Sequence, residues 1–148
     1  MIDKDNLEEI RKEIDKLARA RKKVIVKGKG IEFNRKILEN KKVNILVMSH
    51  SDKKDKLRQR DSGLNQVLCK IAKDNNITIA FDFSELLKEK DKERALLLAR
   101  LIQNIKLCRK YKTKFMLLSE HKDKNSLFSF LLTLGCDTKS AKEAISQG

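Results

Sequence analysis

Residues 43–48 read VNILVM and residues 77–83 read ITIAFDF. The first run is apolar except for Asn44, the pattern of a strand buried on both faces, which is typical of parallel sheets. The second has the same β-branched and aromatic character. Two further segments resemble them: Val24-Ile25-Val26, closed by Gly28-Lys29-Gly30, and Lys114–Ser119. The stretches around these runs switch to helical spacing. Leu7, Ile10, Ile14 and Leu17 place one apolar face on a helix over Asp5–Ala20. Ile31–Asn40 reads as a short basic helix. Leu64, Val67, Leu68, Ile71 and Ala72 form a stripe on a third, with Asp61 or Ser62 as its cap and Asn75-Asn76 as its end. A long helix is predicted from about Asp91 to Tyr111, with Leu97, Leu98, Leu101, Ile102, Ile105 and Cys108 inward. Asn125–Leu134 is an apolar helix stopped by Gly135, and Thr138 is placed to cap a last one through Ile145. The order is α-β-α-β-α-β-α-β-α-α. Strands separated by helices imply right-handed crossovers and a parallel sheet of about four strands.

Composition narrows the class. The chain has 148 residues, the size of one domain. Its longest wholly apolar run, Ala95–Ala99, is far short of the ~18 residues a membrane helix needs. The first ten residues, MIDKDNLEEI, lack the apolar segment of a secretory signal, so a cytoplasmic protein with no membrane partner is expected. Apolar residues make up 40%, enough for a packed core, and Pro is absent. Cys69, Cys108 and Cys136 are odd in number, widely spaced and set in apolar runs, which reads as three buried thiols in a reducing compartment.

The formal net charge is +14 and most of it is concentrated. From Arg19 to Arg60 there are fifteen Lys/Arg against four Asp/Glu. Such a block attracts a polyanion, and nucleic acid is the first candidate because no basic amphipathic helix with aromatic anchors is present for a membrane. Within it, Lys53, Lys54, Lys56, Arg58 and Arg60 lie in a polar loop from Ser49 to Gly63. Five cations this close can meet successive phosphates, and Arg adds a planar fork for bidentate contact. With few aromatic residues, an electrostatic face reading backbone shape is favoured over a base-stacking platform.

The remaining chemistry is sparse. In parallel α/β folds ligands meet the carboxyl ends of strands. Those ends carry Lys27-Gly28-Lys29, Ser49-His50, Asp82 and Glu120-His121. His50, Asp82, Glu120 and His121 are conceivable metal ligands, but the chain has only two His and no HExxH spacing. Gly28-Lys29-Gly30 is too short for a P-loop. Adjacent Ser49 and His50 do not make a catalytic pair, since nucleophile and base normally come from separate elements. Phe115 reads as core; of Phe128 and Phe130, two residues apart on one helix, one is expected to meet a neighbouring helix or a partner.

Several marks together resemble one family. They are Asn34-Arg35 with Glu39-Asn40 and Val43-x-Ile45-Leu46, then Asp61-Ser62-Gly63-Leu64-Asn65 with Val67-Leu68. Ile79-Ala80-x-Asp82-Phe83, Leu86-Leu87, Glu93-Arg94-Ala95 and Asn104-x-Lys106-Leu107-x-Arg109-Lys110-Tyr111 follow in order. With weaker flanks they span about Val24 to Ile145, and the stretch is similar to ribonuclease P protein component 3. The resemblance implies a TIM-like barrel related to the polymerase and histidinol phosphatase (PHP) superfamily, without its metal-dependent phosphoesterase site. It implies a non-catalytic subunit of an archaeal-type ribonucleoprotein, assisting a catalytic RNA in 5′ maturation of precursor tRNA. The implied partners are ribonuclease P RNA, precursor tRNA and ribonuclease P protein component 2. No cofactor is expected on the chain, while Mg²⁺ is expected for the RNA catalyst. The rival reading is a divergent metal-dependent phosphoesterase of the same barrel superfamily. The sequence departs from the family at Gln66, where His is frequent, at Ser84-Glu85 in place of Arg-Pro, and at Glu120–Asn125 in place of a Trp- and Arg-bearing segment. The candidate RNA-binding set is Lys27, Lys29, Arg35, Lys53, Lys54, Lys56, Arg58, Arg60, Lys122 and Lys124.

A complete eight-stranded barrel takes about 250 residues, or roughly 200 at the lower end. This chain is expected to form one shortened, partial (β/α) barrel over residues 1–148. Four strands that do not close leave two edges, with Val24–Val26 at one of them and Lys22, Lys23 and Lys27 as guards against aggregation. A homo-oligomer, or cover by component 2, is the expected remedy.

Overall fold

The computed structural model describes residues 1–49, 61–119 and 123–146. The elements are α1 Leu7–Arg19, β1 Ile25–Lys27, α2 Ile31–Leu38, β2 Ile45–Met48, α3 Gln66–Asp74, β3 Thr78–Asp82, α4 Phe83–Lys88, α5 Asp91–Tyr111, β4 Phe115–Leu118, α6 Lys124–Thr133 and α7 Thr138–Ser146. The four strands form one parallel sheet in the order β1-β2-β3-β4. Ile25 pairs with Ile45, Ile45 with Thr78 and Ile79 with Phe115. Each strand neighbours the next in sequence, as successive right-handed βαβ units require.

The period of two along each strand separates the sheet faces. Val26, Leu46, Met48, Ile79, Phe81, Phe115 and Leu117 join one large core with side chains of six helices, among them Ile10, Ile14, Leu38, Leu68, Ile105, Leu131 and Ala141. Ile45, Val47, Ala80 and Met116 form a second cluster with Ile25 and Leu118, made of strand residues alone. Helices cover one face and apolar strand side chains cover each other on the opposite face. That is the layering of a TIM-like barrel wall, here a partial barrel of four strands. Because both faces are apolar, β2 is buried at all four positions, which accounts for its unbroken run.

The helix ends follow elementary capping rules, with some differences from the sequence reading. α3 begins at Gln66, capped by Asn65, whose side chain accepts from the Leu68 N–H at 2.9 Å. Asp61 and Ser62 instead build the turn before it. The Asp61 carboxylate accepts from the Gly63 N–H at 2.9 Å, and the Ser62 hydroxyl donates to the Leu64 carbonyl. Val67, expected in the apolar stripe, is exposed, because the buried face of α3 is made by Leu68, Cys69 and Ala72 and Val67 falls beside it. α4 is an additional helix. Asp82 ends β3 and accepts from the Ser84 N–H at 2.8 Å, turning the chain at once into Phe83–Lys88. α7 is capped by Asp137 rather than Thr138: its carboxylate accepts from both the backbone and the hydroxyl of Ser140. The other bounds agree with the sequence pattern within about two residues. Cys69, Cys108 and Cys136 are all buried. Phe115 is core, and Phe130 meets Phe83 of α4 edge-on at 4.9 Å.

β1 is the first strand of the sheet, as expected, but its outer side is not bare. Ile2 forms a parallel bridge to Val26, its N–H donating to the Ile25 carbonyl at 2.8 Å and its carbonyl accepting from Lys27 at 2.9 Å. The Ile2 side chain is buried in the main core. Among the described residues, no strand pairs with the outer side of β4.

Candidate nucleic-acid interface

The carboxyl ends of the strands are assembled around one buried asparagine. Asn34, on α2, is fully buried. Its Oδ1 accepts from the Lys29 N–H at 2.8 Å, and its Nδ2 donates to the Lys29 carbonyl at 3.2 Å and to the Gly63 carbonyl at 3.0 Å. The loop after β1 is thereby fixed to the turn before α3. From the other side, Asn104 on α5 donates to the Ser62 carbonyl at 3.0 Å. Gly28 permits this arrangement: a Cβ there would lie 2.9 Å from Asn34 Oδ1 and 3.1 Å from the Val47 carbonyl oxygen. The Asn34, Asp61–Asn65 and Asn104 marks are thus architectural in this chain. They hold the rim in shape by hydrogen bonds to backbone.

Lys27 and Lys29 lie together at the carboxyl end of β1, and Arg35 lies on the following helix. Each sits beside an acid. Lys27 pairs with Asp3 at 3.0 Å, Lys29 with Asp5, and Arg35 with Glu39 at 3.0 Å across one helical turn. The hydrogen bond and charge of Lys29 lower the Asp5 carboxyl from its usual value. Lys29 also lies 5.6 Å from the centre of the Phe33 ring. Lys124 is exposed at the head of α6, beyond β4 at the opposite side of the sheet. Lys53, Lys54, Lys56, Arg58, Arg60 and Lys122 lie outside the described residues.

The conceivable metal ligands are similarly divided. Asp82 is occupied in capping α4, while His50, Glu120 and His121 lie outside the described residues. Among the described residues, no three His, Cys, Asp or Glu side chains gather as a metal would require. The Ser49 hydroxyl donates to Glu85 at 3.3 Å.

Sequence reasoning overlooked Arg100 and read Asn104 only as a family mark; both are buried on α5. Their signal was spacing: positions 97, 100, 101, 104, 105 and 108 form one buried stripe, and two of the six are polar. Gln66, one of the departures from the family pattern, accepts from the Tyr111 hydroxyl at 2.9 Å. The Tyr111 ring is flanked by Lys70 and Lys110, each 5.7 Å from its centre.

No family model matches the chain. It is 30% identical over 119 residues to ribonuclease P protein component 3 of Methanococcus vannielii, covering 80% of this chain and 49% of that protein. The Methanosarcina mazei protein of the same name is 34% identical over 129 residues, covering 83% and 51%. That of Methanosarcina acetivorans is 38% identical over 97 residues, covering 66% and 38%. Among solved structures, a chain of "cryo-EM structure of archaeal Ribonuclease P with mature tRNA" superposes with a TM-score of 0.77 at 26% identity, covering 95% of this chain and 61% of that one. The chain spans about half the length of the curated relatives it matches. In sequence the chain is similar to ribonuclease P protein component 3, and in fold to a chain of archaeal ribonuclease P.

Proposed function

We propose that this chain is a non-catalytic, RNA-binding protein subunit of ribonuclease P that assists 5′ maturation of precursor tRNA by the catalytic RNA. The observation that carries the reading is the agreement of two likenesses on one assembly: the curated relatives of Methanococcus and Methanosarcina, and the fold of a chain within archaeal ribonuclease P. The net charge of +14 supports it, since neutralising phosphates is what a protein cofactor of a large RNA supplies. Lys27, Lys29, Arg35 and Lys124, with the five cations of 53–60 and Lys122, are the proposed contacts. Cations of this kind position RNA without reading its sequence. Partnership with component 2 is the finer part of the proposal and rests on the family resemblance.

The rival, a metal-dependent phosphoesterase, predicts stoichiometric Mn²⁺ or Zn²⁺ binding and hydrolysis of a generic phosphate ester by the chain alone. Reconstitution separates the two. The chain is added to a cognate ribonuclease P RNA, with and without component 2, and precursor tRNA cleavage is followed as Mg²⁺ is lowered. Cleavage persisting at lower Mg²⁺ only when the chain is present supports the subunit reading. Cleavage unaffected by the chain under every combination refutes it.

A further inference from the structure

All four αβ turns lie at the amino ends of the strands, opposite the rim described above, and they carry a second set of cations. Two clefts open there. One, of about 450 Å³, is lined by Arg21, Lys22, Lys23, Lys41 and Lys42, and no acidic side chain lines it. The other, of about 400 Å³, lies between the end of α5, the start of β4 and the start of α7, with Arg109, Lys112, Lys114 and Lys139 beside Asp137 and Glu143. All nine basic side chains are exposed.

Their pairing differs from that of the opposite rim. Lys42 pairs with Asp15, and Arg109 with Asp137. Lys114 donates to the neutral Asn76 amide. Among the described residues, Arg21, Lys22, Lys23, Lys41, Lys112 and Lys139 have no carboxylate partner. At the carboxyl-end rim, by contrast, Lys27 and Lys29 each have one, as does Arg35 on α2.

Backbone conformation supplies an independent observation. α1 and α5 both end in a left-handed residue, where the hydrogen bonds reverse the chain. Lys22 N–H returns to the Leu17 carbonyl and Thr113 N–H to the Cys108 carbonyl. This position ordinarily takes Gly, because a Cβ is strained there. In this chain it holds Arg21 at φ 52° and Lys112 at φ 55°. The helix dipoles do not call for them, since Lys16 and Arg19 already occupy the last turn of α1, and Arg109 and Lys110 that of α5. The equivalent position after α3 holds the neutral Asn76, a residue that tolerates this conformation, and that after α6 holds glycine, Gly135. Two strained cations, each lining one of the two basic clefts, point to a requirement for charge at the amino-end rim.

We infer that the amino-end rim of this sheet is a docking surface for the phosphodiester backbone of folded RNA, engaged through both basic clefts. The inference rests on the proposed RNA-binding function and assigns it a face. Parallel strands stand about 4.8 Å apart, so β1 and β4 are separated by about 14 Å, and one RNA helix laid across the strand starts meets both clefts. Shape and phosphate contacts of this kind are how double-stranded RNA is recognised. An anionic membrane is disfavoured, because neither cleft presents an exposed large apolar side chain for insertion.

The test uses the full chain and a fluorescently labelled RNA hairpin with a double-stranded stem, titrated over a range of salt. Arg21→Gly and Lys112→Gly remove a charge and relieve backbone strain together. Each is expected to leave the melting temperature unchanged or raised while weakening RNA binding and reducing the log–log salt slope by up to about 0.9. The combined variant R21Q/K22Q/K23Q/K41Q/K112Q/K139Q is expected to lose at least about tenfold in affinity at ~0.1 M salt. K27Q/K29Q/R35Q is expected to lose less. Full affinity and slope in the six-fold variant, with loss confined to K27Q/K29Q/R35Q, overturns the inference and leaves RNA binding itself intact. A wild-type chain that binds no RNA overturns both, and binding to anionic phospholipid vesicles instead of RNA overturns the choice of partner.

Discussion

Replacing Asn34 by Ala tests the claim that the family marks in this chain are architectural. The substitution removes three hydrogen bonds, to the Lys29 N–H, the Lys29 carbonyl and the Gly63 carbonyl. Gly63 is buried, so its carbonyl is left without a side-chain partner in a place water does not readily reach. An orphaned buried group costs about 1–3 kcal/mol. The Lys29 N–H is only part-buried, which puts its share at the lower end of that range. A total of about 2–4 kcal/mol follows, a large fraction of the 5–15 kcal/mol typical of a domain. At a urea m-value of about 2 kcal/mol/M the midpoint should fall by about 1–2 M. Urea unfolding followed by far-UV circular dichroism reads it directly. Gly28→Ala completes a double-mutant cycle. Its new Cβ meets Asn34 Oδ1 at 2.9 Å and the Val47 carbonyl at 3.1 Å, costing about 1–3 kcal/mol by itself. With Ala at 34 the first clash is gone, so the two changes together should destabilise less than their sum, by about 0.5 kcal/mol or more. A midpoint shift in Asn34→Ala equivalent to less than about 1 kcal/mol, or strict additivity in the cycle, would refute the reasoning.

Alanine at Lys53, Lys54, Lys56, Arg58 and Arg60 together should weaken RNA binding and flatten its salt dependence by about 0.7–0.9 in log–log slope for each phosphate no longer neutralised; an unchanged slope removes these residues from the interface. Acid should destabilise the chain through Asp137, whose carboxyl is lowered from 3.8 to about 2, chiefly by the backbone and hydroxyl hydrogen bonds of Ser140, with Arg109 adding to the effect. A carboxyl lowered by folding adds stability that is complete above its unfolded value and lost as pH falls through its folded value. Melting temperature should therefore decline between about pH 4 and 2 for this group, and Asp137→Asn, which preserves a capping oxygen, should decline less steeply; identical profiles would contradict the assignment. Sedimentation equilibrium of the isolated chain at micromolar concentration is expected to show a dimer or larger species, because the outer side of β4 has no strand partner among the described residues. A stable 17.1 kDa monomer with every strand amide protected from exchange would count against that.

Much of this protein could be read from one dimension. The continuous run in β2 and the three- and four-residue spacing in α1 and α5 record which side chains leave water, and burial is proportional to apolar area wherever the partner surface comes from. The parallel sheet followed, because strands separated by helices have few other ways to pair. The charge block was equally visible, since charge is a sum over residues. Local capping was less so: Asp61, Ser62 and Asn65 are all competent caps, and only the packing of α3 selects Asn65. α4 was missed because six residues carry too short a period to register. Tertiary structure alone decided what the cations face. Lys27 meets Asp3 and Lys29 meets Asp5 across 24 positions of sequence, so these two charges at the carboxyl-end rim are compensated from the amino terminus. Arg21, Lys41 and Lys112 are far apart in the chain, yet the repeated return of each helix to the same end of the sheet gathers them on one rim. Pairing depends on distance through space, which falls steeply in its effect within a few ångströms, and sequence separation does not contain it.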